Sequence, residues 1–213
     1  MTNKRILVAC SVGLLVYGAA RLAHAQERGA CTARTASMAV RLHNNADVPQ
    51  DVLTSAKAYA QETYKRIGVT VQWREAGDAV YEDVGARYTV VLMTSQAAQR
   101  KAMEDGITDD VVGQATAVAR RAWIYYERVI GLALSPDRDL VTFLGYVMAH
   151  ELGHLLLPGR PHSAAGVMRA SFPLNSRSIH TFTAADATAI CARLEQEAKR
   201  SPPIGESAVI DHE

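Results

Sequence analysis

The chain has 213 residues, with 23 Lys and Arg against 22 Asp and Glu and a hydrophobic content of 48%. A formal net charge of +1 gives no electrostatic ground for a nucleic-acid or anionic-membrane partner, since phosphate binding requires an excess of clustered cations. The length suits one domain with a sizeable core better than two.

Residues 1–25 read as a secretory signal. Lys4 and Arg5 precede an apolar run over residues 6–20, and Ala23-His24-Ala25 forms a small-x-small cleavage site. The run is shorter than the roughly 20 apolar residues that a membrane span needs. Cleavage after Ala25 is therefore expected, leaving no stable membrane span and a secreted or periplasmic protein. That cleavage removes Lys4, Arg5 and Arg21 and no acid, so 20 bases remain against 22 acids. Two cysteines remain as well, Cys31 and Cys191. In an oxidising compartment an even pair reads as one disulfide, here tying the N-terminal segment to the last helix. A zinc-binding latency role for Cys31 has no supporting motif around it.

Residues 38–42 alternate as a strand, and residues 49–67 have helical composition with spaced apolar positions at Val52, Leu53, Ala56, Ala60 and Tyr64. Gly68 suits the position just past a helix. Residues 69–73 and 88–93 are β-branched strands, and this β-α-β-β order indicates an α/β layer. Residues 113–118 and 122–126 read as two more strands separated by Arg120-Arg121. One of them, left exposed at a sheet edge, would accept an extended peptide through main-chain pairing. Ser135-Pro136-Asp137 predicts a helix start, with a capping serine and a proline at the first helical position. Leu140, Phe143, Leu144, Val147, Met148 and Leu155 then supply a wide apolar face.

That helix carries His150-Glu151-Leu152-Gly153-His154. Residues four apart lie about 40° apart in azimuth and about 6 Å along the axis, so His150 and His154 project from one face. Two imidazoles there make a clamp for zinc, whose catalytic sites use three protein ligands and leave a fourth position to water. Glu151, beside the first ligand, is placed to deprotonate that water. Pro158-Gly159 breaks the helix at once, and His162 follows on the returning chain, with Gly166-Val167-Met168 four residues later.

The stretch from His150 to Met168, H-E-L-G-H-x7-H-S-x-x-G-V-M, resembles the metzincin clan of zinc metallopeptidases, with Ser163 similar to the matrixin subgroup. The resemblance implies His150, His154 and His162 as zinc ligands, Glu151 as general base and Met168 beneath the metal. This sequence departs from the usual pattern in spacing, since His154 and His162 are 8 apart where the clan has 6. Leu157 stands where the clan has glycine, so Gly159 is assigned the reversal in a connection two residues longer. No tyrosine follows Met168 closely, so an auxiliary metal-proximal tyrosine is not implied. Should His162 not ligate, a downstream glutamate, Glu195 or Glu197, is the alternative. His43, His180 and His212 have no local partner and read as ordinary histidines.

Residues 172–180 read as a loop lining the site, and Thr183-Ala184-Ala185-Asp186 as a capping box before a final helix to about Lys199. Ala187, Ile190, Cys191 and Leu194 form its buried stripe. Residues 201–213, with Pro202-Pro203, read as a flexible tail. The expected architecture is an α/β, zincin-like domain over residues 26–200: a small, mostly parallel twisted sheet with an edge strand, packed against an active-site helix and flanking helices. The expected function is a secreted zinc peptidase acting as a monomer on peptide or protein substrates. The rival reading is a secreted noncatalytic binding protein whose zinc is structural.

Overall fold

The computed structural model describes residues 31, 36–75, 86–134, 139–171 and 179–200. The signal segment, the Ser135-Pro136-Asp137 helix start, most of the 172–180 loop and the tail with His212 lie outside the described residues.

Five strands form one sheet in the order β2-β1-β3-β5-β4. Strands β1 (Ala36–Asn44), β2 (Val69–Glu75), β3 (Ala86–Met93) and β5 (Arg121–Tyr125) are parallel, and β4 (Gly113–Thr116) runs antiparallel at one edge. Helix α1 (Gln50–Lys65) connects β1 to β2, as a parallel pair requires. Its end is set by Gly68, whose φ of +82° suits glycine. Alternation along the strands sends Met38, Val40, Leu42, Val90, Leu92, Ala122 and Ile124 to one face, where they are buried under α1 and α4 (Leu140–Leu156).

The two helices cross where Gly145 stands. A Cβ there would lie 2.6 Å from Tyr59 Cβ and 2.8 Å from Ala56 O, so only glycine permits this approach. The Tyr64 hydroxyl, fully buried, donates to Ala149 O at 3.1 Å and ties α1 to the turn of α4 just before His150.

Helix α4 starts at Leu140. Its N-cap is Asp139, whose carboxylate accepts the Thr142 N–H at 3.0 Å and the Thr142 hydroxyl at 2.6 Å. An acceptor of that kind satisfies an otherwise orphaned first-turn donor. Two helices were not expected. Helix α2 (Ser95–Asp105) packs through Ala98 against Met93 and Tyr125 on the opposite face of the sheet, and α3 (Tyr126–Ala133) leaves β5 without a connecting loop.

The last helix, α5 (Ala184–Arg200), starts as expected. Asp186 N–H donates to Thr183 Oγ1 at 3.2 Å, while the Thr183 hydroxyl donates to the Asp186 carboxylate at 2.7 Å. Cys191 on this helix is disulfide-bonded to Cys31 with Cα atoms 5.3 Å apart. No helix among the described residues is long and apolar enough to cross a membrane.

Candidate metal centre

His150 and His154 lie one turn apart near the C-terminal end of α4, and the chain then reverses to bring His162 to them. The helix ends with Leu157 N–H on Gly153 O at 2.9 Å, and Arg160 N–H closes a turn onto Leu157 O at 3.2 Å. Gly159 adopts φ +72° within that turn, which is the reversal assigned to it. After His162, Ser163 N–H donates to Met168 O at 2.7 Å, and the Ser163 hydroxyl donates to the buried Asp186 carboxylate at 2.8–3.0 Å. The loop is thus pinned to the first turn of α5.

The three imidazoles converge. His154 Nε2 lies 3.0 Å from His150 Nε2 and 3.2 Å from His162 Nε2. Each residue offers a ligand atom within 4.8 Å of the other two. Zinc–nitrogen bonds of about 2.0–2.1 Å at tetrahedral angles place ligand nitrogens about 3.3 Å apart.

The protons these rings carry limit how they can contact one another. His150 Nδ1–H donates to Val167 O at 2.7 Å, so its Nε2 presents a lone pair. One proton on His154 Nε2 can serve a single neighbour. Of the two short contacts, at most one is then a hydrogen bond, and the other sets two nitrogens against each other; a cation between the rings fits this donor set.

Burial holds the first two rings neutral. His150 is held down to about 4 by desolvation first, with His154 and His162 adding charge repulsion against its hydrogen bond to Val167. His154 is likewise held down to about 4, by desolvation and then by His162. Neutral imidazole is the form that binds metal. In the metal-free protein, NMR titration of the His150 and His154 ring carbons is expected to give midpoints near 4 rather than near 6.5. Both groups have depressed folded values, so they withdraw stability as pH falls from about 6.5 toward 4, where the unfolded chain takes up protons first.

Met168 packs on α4 at Gly153, where the helix lacks a side chain. A Cβ on Gly153 would stand 2.3 Å from Met168 Sδ and 3.3 Å from a Phe182 ring carbon. Glu151 sits on the other flank, only 4% exposed. Its carboxylate lies against the edge strand, where a Cβ on Gly113 would approach Oε1 to 2.5 Å. Burial pushes the Glu151 carboxyl up to about 8.

Glu151 and the three histidines line a cleft of about 440 Å³, walled on one side by β4 and the residues around it and on the other by Pro158, Gly159 and Arg160. Arg128 braces the approach to β4, donating to Thr108 O and Val111 O at 2.8 Å each and pairing with Asp109 at 3.0 Å.

Neither alternative glutamate joins the histidines. Glu197 is buried elsewhere, accepting the Tyr88 hydroxyl at 3.0 Å and pairing with Arg193 at 2.8 Å and Arg120 at 3.2 Å. Glu195 is outside the cluster, which holds His150, His154 and His162 alone among the described residues. His180 is less ordinary than it reads in the sequence. Its Nδ1 lies 3.0 Å from the Tyr59 hydroxyl, and its ring packs edge-on to Tyr146 at 5.0 Å. Sequence reasoning passes over Gly113, which carries no signal beyond opening a strand, and Tyr146, whose signal is its place one turn before His150.

No family model and no curated protein matches the chain. Among solved structures it is similar to an archaemetzincin from Methanopyrus kandleri, at 17% identity and a TM-score of 0.42, covering 79% of this chain and 99% of that one. It is also similar to a zinc-dependent peptidase from Methanocorpusculum labreanum, at 11% identity and a TM-score of 0.40, covering 73% of this chain and 99% of that one.

Proposed function

We propose that this chain is an exported zinc-dependent peptidase in which His150, His154 and His162 hold the metal and Glu151 is the general base. The observation that carries this reading is the convergence of three imidazole Nε2 atoms beside a buried carboxylate at the floor of an open cleft. Zinc bound there supplies a Lewis acid that acidifies water and polarises a carbonyl.

The protein's own part begins with the substrate main chain. Among the described residues strand β4 has a neighbour strand on one side only, so its outer edge offers main-chain N–H and C=O groups to an extended peptide. Main-chain pairing of that kind lays a scissile carbonyl across the cleft floor above Glu151. Beside a positive charge the Glu151 carboxylate is held ionised despite its burial. Glu151 takes the proton of the attacking water and then delivers it to the departing amine nitrogen. Gly113 keeps the carboxylate in its place against the strand, because any side chain there would occupy the same space.

Export fits the residue 1–25 segment, and the Cys31–Cys191 bridge fits an oxidising compartment. Cleavage of a denatured protein substrate is expected to cease with a chelator and return with stoichiometric zinc. Hydrolysis that continues at full rate after the metal has been stripped contradicts the reading.

A further inference from the structure

We propose that Tyr146 is a positioning residue for His150, acting through the main-chain carbonyl of Val167; the proposal rests on the zinc-site reading above. Tyr146 stands four residues before His150 on α4, so the two rings share a helix face, with centroids 6.3 Å apart and planes 21° from parallel. The Tyr146 hydroxyl donates to Val167 O at 2.9 Å, and the same oxygen accepts His150 Nδ1–H at 2.7 Å. A carbonyl oxygen has two lone pairs, so both donors are accommodated. Gly166 O lies farther from the hydroxyl, at 3.3 Å, and the phenol has a single proton to give.

One helix thus grips the carbonyl of the methionine-bearing turn from two successive turns. That grip decides which nitrogen of His150 faces its partners. With Val167 O fixed, the proton stays on Nδ1 and the bare Nε2 points toward His154 and His162. Ligating histidines depend on such outer partners for tautomer and aim.

Tyr146 is itself held in place. His180 packs edge-on to its ring at 88°. Tyr59 in turn fixes His180, accepting the His180 main-chain N–H at 3.1 Å and meeting its Nδ1 at 3.0 Å. The wall behind His150 therefore runs from α1 through His180 and Tyr146 to the turn at Val167. At 3% exposure and absent from the cleft lining, Tyr146 touches no substrate. It acts through His150 or not at all.

The test is Tyr146→Phe, which keeps the ring and removes the donor. Val167 O retains His150 as a partner, so no buried acceptor is orphaned and the melting temperature of the metal-free protein is expected to be unchanged. Zinc Kd, from competition with a chromophoric chelator, is expected to rise about tenfold or more, and the visible spectrum of the cobalt-substituted protein to shift. In the metal-free variant, long-range proton–nitrogen NMR is expected to show His150 as a mixture of tautomers where the parent shows Nδ1–H alone. Unchanged Kd, cobalt spectrum and tautomer overturn the proposal. So does an affinity loss matched by a lowered melting temperature of the metal-free protein, which is the behaviour of a packing residue. A parent protein that binds no zinc contradicts the metal-site reading instead, and the His150 tautomer then decides the Tyr146 proposal by itself.

Discussion

Replacing Glu151 with glutamine is expected to lower kcat by about 10²–10⁴-fold or more, the usual contribution of a positioned general base, while the protein still binds one zinc. The two expectations separate because Glu151 is not among the converging histidines, and its amide isostere fills the same space against Gly113. The fold should tolerate the change as well. A carboxyl that burial pushes up to about 8 is costly to ionise where it sits, so a neutral group of equal size removes a burden from the metal-free protein. Steady-state hydrolysis beside metal analysis of the same preparation reads both outcomes. Activity within a few-fold of the parent, at full zinc occupancy, would remove Glu151 from the mechanism.

His162→Ala is expected to weaken zinc binding by about two orders of magnitude. Structural zinc contributes about 10–16 kcal/mol through four protein ligands, so one ligand accounts for roughly 3 kcal/mol. Unlike His150, His162 is exposed on a loop, and the folding of the metal-free protein owes little to it. Hydrolysis should fall with zinc occupancy and recover in part at high added zinc, because His150 and His154 remain on the rigid helix. This substitution addresses the eight-residue spacing directly. If affinity does not change, the long connection fails to deliver a ligand, and the convergence of His162 on His154 has another purpose.

The three-histidine cluster was legible because helix periodicity, a breaker pair and a returning histidine are all local signals. The capping box at Thr183 and the buried stripe of α5 were legible for the same reason. Helix α2 was not, since it buries only Ala98 and Ala102 and shows no broad apolar face. Its signals were at the ends: Thr94, whose side chain accepts Ala97 N–H, and Gly106 in the left-handed region. Helix α3 was hidden by continuity, because Tyr125 closes a strand and Tyr126 opens a helix with no turn residue between them. The Ser135-Pro136 start signal lies outside the described residues, and Asp139, whose carboxylate caps helix α4, was not read as its cap.

Long-range pairing was the least legible part. Glu197 reads as a solvent-facing helix residue or a spare ligand, and only the fold brings Tyr88, Arg120 and Arg193 around it. Gly113 and Val167 matter for where their backbones pass, which residue type alone does not reveal. The Cys31–Cys191 pair was foreseeable by count, whereas its position beside Gly68, with Cys31 Cβ 3.3 Å from where a Cβ would stand, was not.

X-ray absorption at the zinc edge of the purified, zinc-reconstituted protein tests the metal centre most directly. One zinc per chain is predicted, with three imidazole nitrogens at about 2.0–2.1 Å and a single light-atom ligand from solvent. A sulfur scatterer, a fourth protein ligand closing the site, or no stoichiometric zinc would contradict it.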